Sequence, residues 1–188
     1  MNRPLAGLTV ESAPAAAKPM LAKAREIFGF VPNLAVTMAA VPPALENYFQ
    51  GLQAFGETPL SPIEQQVVLI AVSRVNGADY SLAIHATLAA KLGADPEVVR
   101  AVVTGGIIWD LRLGALRRFA EALTQSRGRV TDEDIEVFLS AGFGPESMVA
   151  VAFGMAVKTF ANSLAVLART PVDAAFAPTL DSLQDKVS

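Results

Sequence analysis

The chain has 188 residues and a net charge of −3, is 52% hydrophobic, and contains one histidine and no cysteine. That length suits one well-packed domain, and the missing sulfur removes disulfides, thiolate nucleophiles, dithiol redox chemistry and Cys-based zinc sites. A single histidine cannot build a multi-histidine metal cage, and a pI near 5.2 with no basic run leaves no electrostatic footprint for nucleic acid. No metal, no cofactor and no nucleic-acid partner are expected.

Mean hydropathy is +0.41, high for a water-soluble protein. The longest uncharged apolar stretch, Ser147 to Val157, is far short of the roughly 20 residues that span a bilayer. The N-terminus lacks a charged segment followed by a continuous apolar run, so a cytoplasmic location without membrane contact is expected. Large exposed apolar patches are rare on monomers, so the excess apolar surface predicts a homo-oligomer.

In chain order, residues 1–18 read as an irregular arm punctuated by Pro4 and Pro14. From Pro19 to Phe28 apolar residues recur at helical spacing until Gly29. Asn33 is the expected N-cap of a short helix through Ala40, and Pro43 opens the next, to about Phe55. Ser61-Pro62-Ile63-Glu64 combines a serine cap, proline at the first helical position and glutamate three residues on, which is a capping box. The following run, Val67 to Val75, is apolar on almost every side and therefore core.

Asn76-Gly77 ends that helix, and the next carries His85 to Leu92-Gly93. Asp95 caps a helix through Val103, and Trp109-Asp110-Leu111-Arg112 crosses to a helix over 114–125, with Trp109 expected to pack and Arg117-Arg118 to face solvent. Thr131 caps a helix from Asp132 to Leu139, and Pro145 opens the longest helix, to about Ala168. Residues 178–188 read as a tail. No segment alternates as a strand would. The expected fold is all-α, one compact domain of about eight helices over residues 19–177.

Chemistry points to the stretch from Asn76 to His85. Ala78, Ser81 and His85 fall at i, i+3 and i+7, on one helical face. His85 is the candidate general acid or base, because its ordinary pKa suits proton transfer near neutrality. Its alternative is a structural histidine satisfied by a neighbouring helix carbonyl. A nucleophilic Ser81 needs a base in reach and a group orienting that base. A serine within a helix more commonly bonds back to the carbonyl one turn earlier. Tyr80 and Glu64 are further pocket candidates, although the capping box accounts for Glu64 and core packing for Tyr80. Asn162, on the long apolar helix, requires a partner at a helix interface.

Phe28-Gly29-Phe30-Val31-Pro32-Asn33-Leu34, Leu60-Ser61-Pro62, Ala71-Val72-Ser73-Arg74-Val75-Asn76-Gly77 and Ala83-Ile84-His85 resemble the AhpD-like, or carboxymuconolactone decarboxylase, superfamily. Ala168-Arg169-Thr170-Pro171-Val172-Asp173 resembles the end of its peroxidase-related, alkylhydroperoxidase branch. The resemblance implies an AhpD-like helical fold with a decarboxylase-type core at about 45–125. In redox members a Cys-x-x-Cys pair precedes the histidine, and a glutamate about three turns earlier completes a proton relay. The cysteine positions here are Ala78 and Ser81, the relay position is Gln66, and the histidine position is His85. Alanine and serine form neither a sulfenic acid nor a disulfide, so dithiol peroxidase activity is expected to be absent.

Two other functions remain open. One is a cysteine-independent lyase in which His85 moves a proton, and the other is a non-catalytic binding or scaffold protein. The corresponding ligand is a small organic acid, a lactone or a hydroperoxide-like compound.

Overall fold

The computed structural model describes residues 8–184, and the expectations for residues 1–7 and 185–188 lie outside it. A short 3₁₀ turn at Ala15–Ala17 leads into ten α-helices. They are α1 (Lys18–Phe28), α2 (Asn33–Met38), α3 (Pro42–Gly56), α4 (Pro62–Val75), α5 (Asp79–Lys91), α6 (Pro96–Thr104), α7 (Leu111–Gln125), α8 (Asp132–Ser140), α9 (Pro145–Ala168) and α10 (Ala177–Gln184). Among the described residues there is no strand. The fold is all-α, as the periodicity predicts.

The core forms around α4. Every residue from Val67 to Ser73 is buried, because a helix that is apolar on all sides must be covered on all sides. It packs against α5, α7 and α9. Its start is set by the expected capping box. The Ser61 N–H donates to Glu64 Oε2 at 2.7 Å, and the Glu64 N–H donates to Ser61 Oγ at 3.3 Å. Its end is set by Gly77, whose φ of +62° turns the chain directly into α5.

The long helix α9 lies across α2, α3, α4, α5 and α7. It approaches α3 closely at Gly154, where a Cβ atom would come within 2.6 Å of the Phe55 ring. By length and composition α9 is the one helix among the described residues that qualifies to cross a bilayer, and 39% of its apolar window is buried within the fold. Its outer face leaves Val149, Phe153, Phe160, Val166 and Leu167 exposed.

Several local expectations need correcting. Asn33 is not the cap of α2: Pro32 occupies that position, and the Asn33 side chain donates instead to the Pro171 carbonyl at 3.1 Å. The orphan N–H groups at this helix start are met from a distance. The Asn33 N–H donates to Asp173 Oδ1 at 3.1 Å, and the Leu34 N–H to Tyr80 Oη at 3.2 Å. Helix α7 begins at Leu111 rather than 114, because the Asp110 carboxylate accepts from the Leu113 N–H at 2.9 Å and so acts as the cap.

Trp109 does not pack; it is 85% exposed beside Leu111, in the turn ahead of α7. Arg117 is not a free surface charge either. It donates to the carbonyls of Ala101 and Gly106 and lies 3.7 Å from Glu121. Residues 178–184, expected as tail, belong to α10, which packs on α5 and α6; Pro178 lies in its first turn, where proline costs no hydrogen bond.

Tyr80 Oη also donates to Asp173 Oδ2 at 2.7 Å. One carboxylate therefore ties the segment after α9 to both α2 and α5. Replacing Asp173→Ala strands a buried hydroxyl and a helix N–H, and is expected to lower unfolding free energy by about 1–3 kcal/mol. Denaturant titration reads this directly, and an unchanged midpoint would show that the bridge stabilises nothing.

Candidate functional site

His85 lies in the second turn of α5, facing α4, and is 4% exposed. Its Nδ1 is 2.9 Å from Gln66 Oε1. An amide oxygen only accepts, so Nδ1 carries the hydrogen and Nε2 keeps its lone pair. Nε2 is buried and has no partner. Burial, reinforced by the charge of Lys158, holds the imidazole well below its ordinary pKa, so it is neutral at pH 7.

His85 lines a cavity of about 80 Å³ between α2, α3, α5 and α9. Its walls are apolar, from Phe28, Leu34, Phe49, Leu52, Ile84 and Leu88. Three further lining residues carry polar groups: Tyr48, Tyr80 and Lys158. Lys158 is 1% exposed. It has no hydrogen-bond or ion-pair partner among the described residues, and no carboxylate lines the cavity. Desolvation alone lowers its pKa to about 7. The Tyr80 hydroxyl is pushed well above its usual value by burial first, and it already serves Leu34 and Asp173.

The sequence-predicted residues separate into two groups. His85, Gln66 and Tyr80 come together at or directly behind the cavity. Ala78 and Ser81 do not reach it. Ala78 caps α5 and lines a different, open cleft with Arg169 and Thr170. Ser81 is fully buried, and its Oγ bonds neither His85 nor the preceding turn, which leaves the hydroxyl without a base. Glu64 is elsewhere, held by Ser61 and by Arg112 Nε at 2.7 Å, and it does not line the His85 cavity.

The imidazole is not satisfied by a helix carbonyl, as a purely structural histidine would be; its partner is the Gln66 side chain. Asn162 meets Ser73 at the expected helix interface, its side-chain amide lying 3.3 Å from Ser73 Oγ, whose hydrogen is given to the Leu69 carbonyl at 2.7 Å. Lys158 and Tyr48 were not anticipated. A lone lysine inside the 24-residue apolar helix α9 is the signal that pointed to the first; Tyr48 carries no comparable signal.

Residues 39–125 match the carboxymuconolactone decarboxylase family. No curated protein matches the chain in sequence. Three solved structures share its fold. An alkylhydroperoxidase AhpD core, an uncharacterised peroxidase-related protein from Ralstonia eutropha JMP134, is 21% identical at TM-score 0.78, over 89% of this chain and 90% of its own. An uncharacterised peroxidase-related protein from Silicibacter sp. TM1040 is 22% identical at TM-score 0.78, over 94% and 92%. The debrominase Bmp8 is 19% identical at TM-score 0.80, over 97% and 99%. A Cys→Ala variant of Bmp8 is solved in complex with 2,3,4-tribromopyrrole.

The fold is thus that of the AhpD-like proteins. In sequence, the likeness to the carboxymuconolactone decarboxylase family extends over residues 39–125, and the chain carries no Cys-x-x-Cys pair.

The buried amine and imidazole make stability depend on pH with one sign. Folded Lys158 holds its proton only below about 7, whereas the unfolded chain holds it to about 10.4. Between these values the unfolded state binds more protons, so stability rises with pH. His85, with its lowered pKa, adds the same sign below about 6.5. Lys158→Met is therefore expected to be more stable than the parent at neutral pH, by an amount on the order of a few kcal/mol. The gap should narrow towards about pH 10 as the parent's lysine loses its proton in both states. Denaturant midpoints of the two proteins across pH test this, and a gap that does not change with pH would refute the account of Lys158.

Proposed function

We propose that this protein works without redox chemistry and binds a small, mostly apolar molecule carrying one polar group at the His85 cavity. An organic acid, a lactone or another carbonyl compound fits that description, with His85 Nε2 as the group that accepts or returns a proton. The observation that carries the proposal is the His85–Gln66 bond, which fixes the tautomer and leaves a basic nitrogen without a protein partner on a residue that lines an apolar cavity. A neutral imidazole in such a place is a general base rather than a charge. A neighbour of the same fold, in its Cys→Ala form, holds a small heteroaromatic compound. That supports binding of a small ring compound by this architecture with one cysteine replaced.

Gln66 can hydrogen-bond but cannot titrate. It orients the imidazole and passes no proton onward, unlike a relay glutamate. The exposed apolar residues along α9 support a homo-oligomer in the cytoplasm, since burying that row removes it from water.

Two outcomes check this. The first is that no hydroperoxide turnover occurs with an external dithiol; clear turnover would overturn the sulfur argument. Positions 78 and 81 are joined by the Ser81 N–H to Ala78 carbonyl bond at 2.9 Å, within one turn. The double variant Ala78→Cys, Ser81→Cys is therefore expected to form a disulfide on oxidation, and a folded double variant that stays dithiol would refute that placement. The second outcome uses the single histidine as a reporter. A small organic acid or lactone should shift the one set of imidazole NMR signals, and His85→Ala should abolish any lactone turnover. Imidazole signals unmoved by every such compound would remove the proposed ligand class.

A further inference from the structure

Among the cavity residues Lys158 is the hardest to explain by packing. It lies one helical turn after Gly154 and one turn before Asn162, on the buried face of α9. Side chains there are otherwise small or apolar. Burying a cation without a partner is unfavourable, and a methionine would fill the same volume without that cost. A surface-seeking lysine would snorkel its ammonium to water, but this residue is 1% exposed. Lys158 instead lines the apolar cavity that His85 also lines.

We propose that Lys158 is an imine-forming amine whose substrate is a small aldehyde or ketone held in this cavity. The proposal rests on the cavity being a ligand site and names the chemistry of that ligand. An amine is nucleophilic only as the free base, and desolvation in an apolar pocket is the usual way a lysine is kept in that form. With a pKa of about 7, a substantial share of Lys158 is unprotonated at neutral pH.

The reaction balances within the site. The Nζ lone pair forms a bond to the carbonyl carbon, and the C=O π electrons move onto oxygen. One proton leaves nitrogen and reaches that oxygen, giving a carbinolamine; His85, which lines the same cavity and whose Nε2 has no protein partner, is the residue that would carry it. The carbinolamine oxygen then departs as water with the second amine hydrogen, leaving a neutral C=N bond. No oxidant or reductant is consumed. The product exchanges a buried titratable amine for an uncharged imine, which the apolar walls favour.

Size limits the substrate. The cavity is about 80 Å³, smaller than an engineered cavity of about 150 Å³ that accepts benzene in another protein. Compounds of about three to five carbons fit that limit. The charged and titratable groups facing Lys158 are His85 and Tyr80 from α5 and Tyr48 from α3. None is an anion at neutral pH, so no fixed partner holds the ammonium form. A carboxylate ligand would do the opposite, pairing with the ammonium and raising its pKa.

Reductive trapping tests this on the full-length protein. Propanal and sodium cyanoborohydride are added near neutral pH, and alkylation is mapped by peptide mass spectrometry. The Lys158 peptide is expected to gain one propyl group at least about tenfold faster than those of the exposed Lys23 and Lys91, whose free-base fractions are far smaller. Lys158→Arg should show only the slow surface labelling. The His85 imidazole signals separate the two levels of the argument. Signals moved by propanal or propionate, with no propyl group on Lys158, would overturn the imine while leaving the ligand site standing. Signals unmoved by either compound, again with no adduct, would overturn both. Labelling of Lys158 no faster than that of Lys23 would also overturn the imine.

Discussion

An amine and an imidazole held against one apolar wall, with no carboxylate between them, set the demands that the surrounding helices must meet. Each group would be better solvated in water, and neither reaches it. Lys158 is kept inside by its position on the buried face of α9, and His85 by the direct turn from α4 into α5 at Gly77. Without a neighbouring anion both groups relax the same way, by giving up the proton. The cavity that results is apolar and basic, and its basic character follows from that one omission.

The rest of the site serves to hold that arrangement. Gln66 fixes which imidazole nitrogen is free, and Ser73 with Asn162 pins α4 to α9 a little further along. On the opposite wall, the Tyr80 hydroxyl links Leu34 to Asp173 and thereby seats α2 and the segment after α9. The positions that would carry sulfur in a dithiol relative are offset from this cavity. Ala78 faces a separate open cleft, and Ser81 is sealed in the core. The His85 cavity is therefore lined without either of those two positions.

Much of this was legible in the sequence. Capping boxes, prolines in first turns and glycines after helix ends rest on contacts a few residues apart, so Ser61, Gly77, Asp95 and Thr131 were readable where they stand. Asn33 and Trp109 were misread for a shared reason, since each depends on what the distant chain brings. Asp173 reaches Asn33 across 140 residues and takes over the expected capping role. Among the described residues nothing covers Trp109. The His85–Gln66 contact followed from resemblance, whereas Lys158 required the fold itself. A lysine in an apolar helix is compatible with a snorkelling side chain until the neighbouring helices close over it.

The central claim is that Lys158 is buried without a counter-charge in the cavity that His85 lines. The most direct measurement is the pH titration of the Lys158 side chain by NMR, on protein labelled at lysine Cε and assigned with Lys158→Arg. The account predicts a midpoint at about 7, far below the exposed lysines. A midpoint close to the ordinary value of about 10.4 would contradict it.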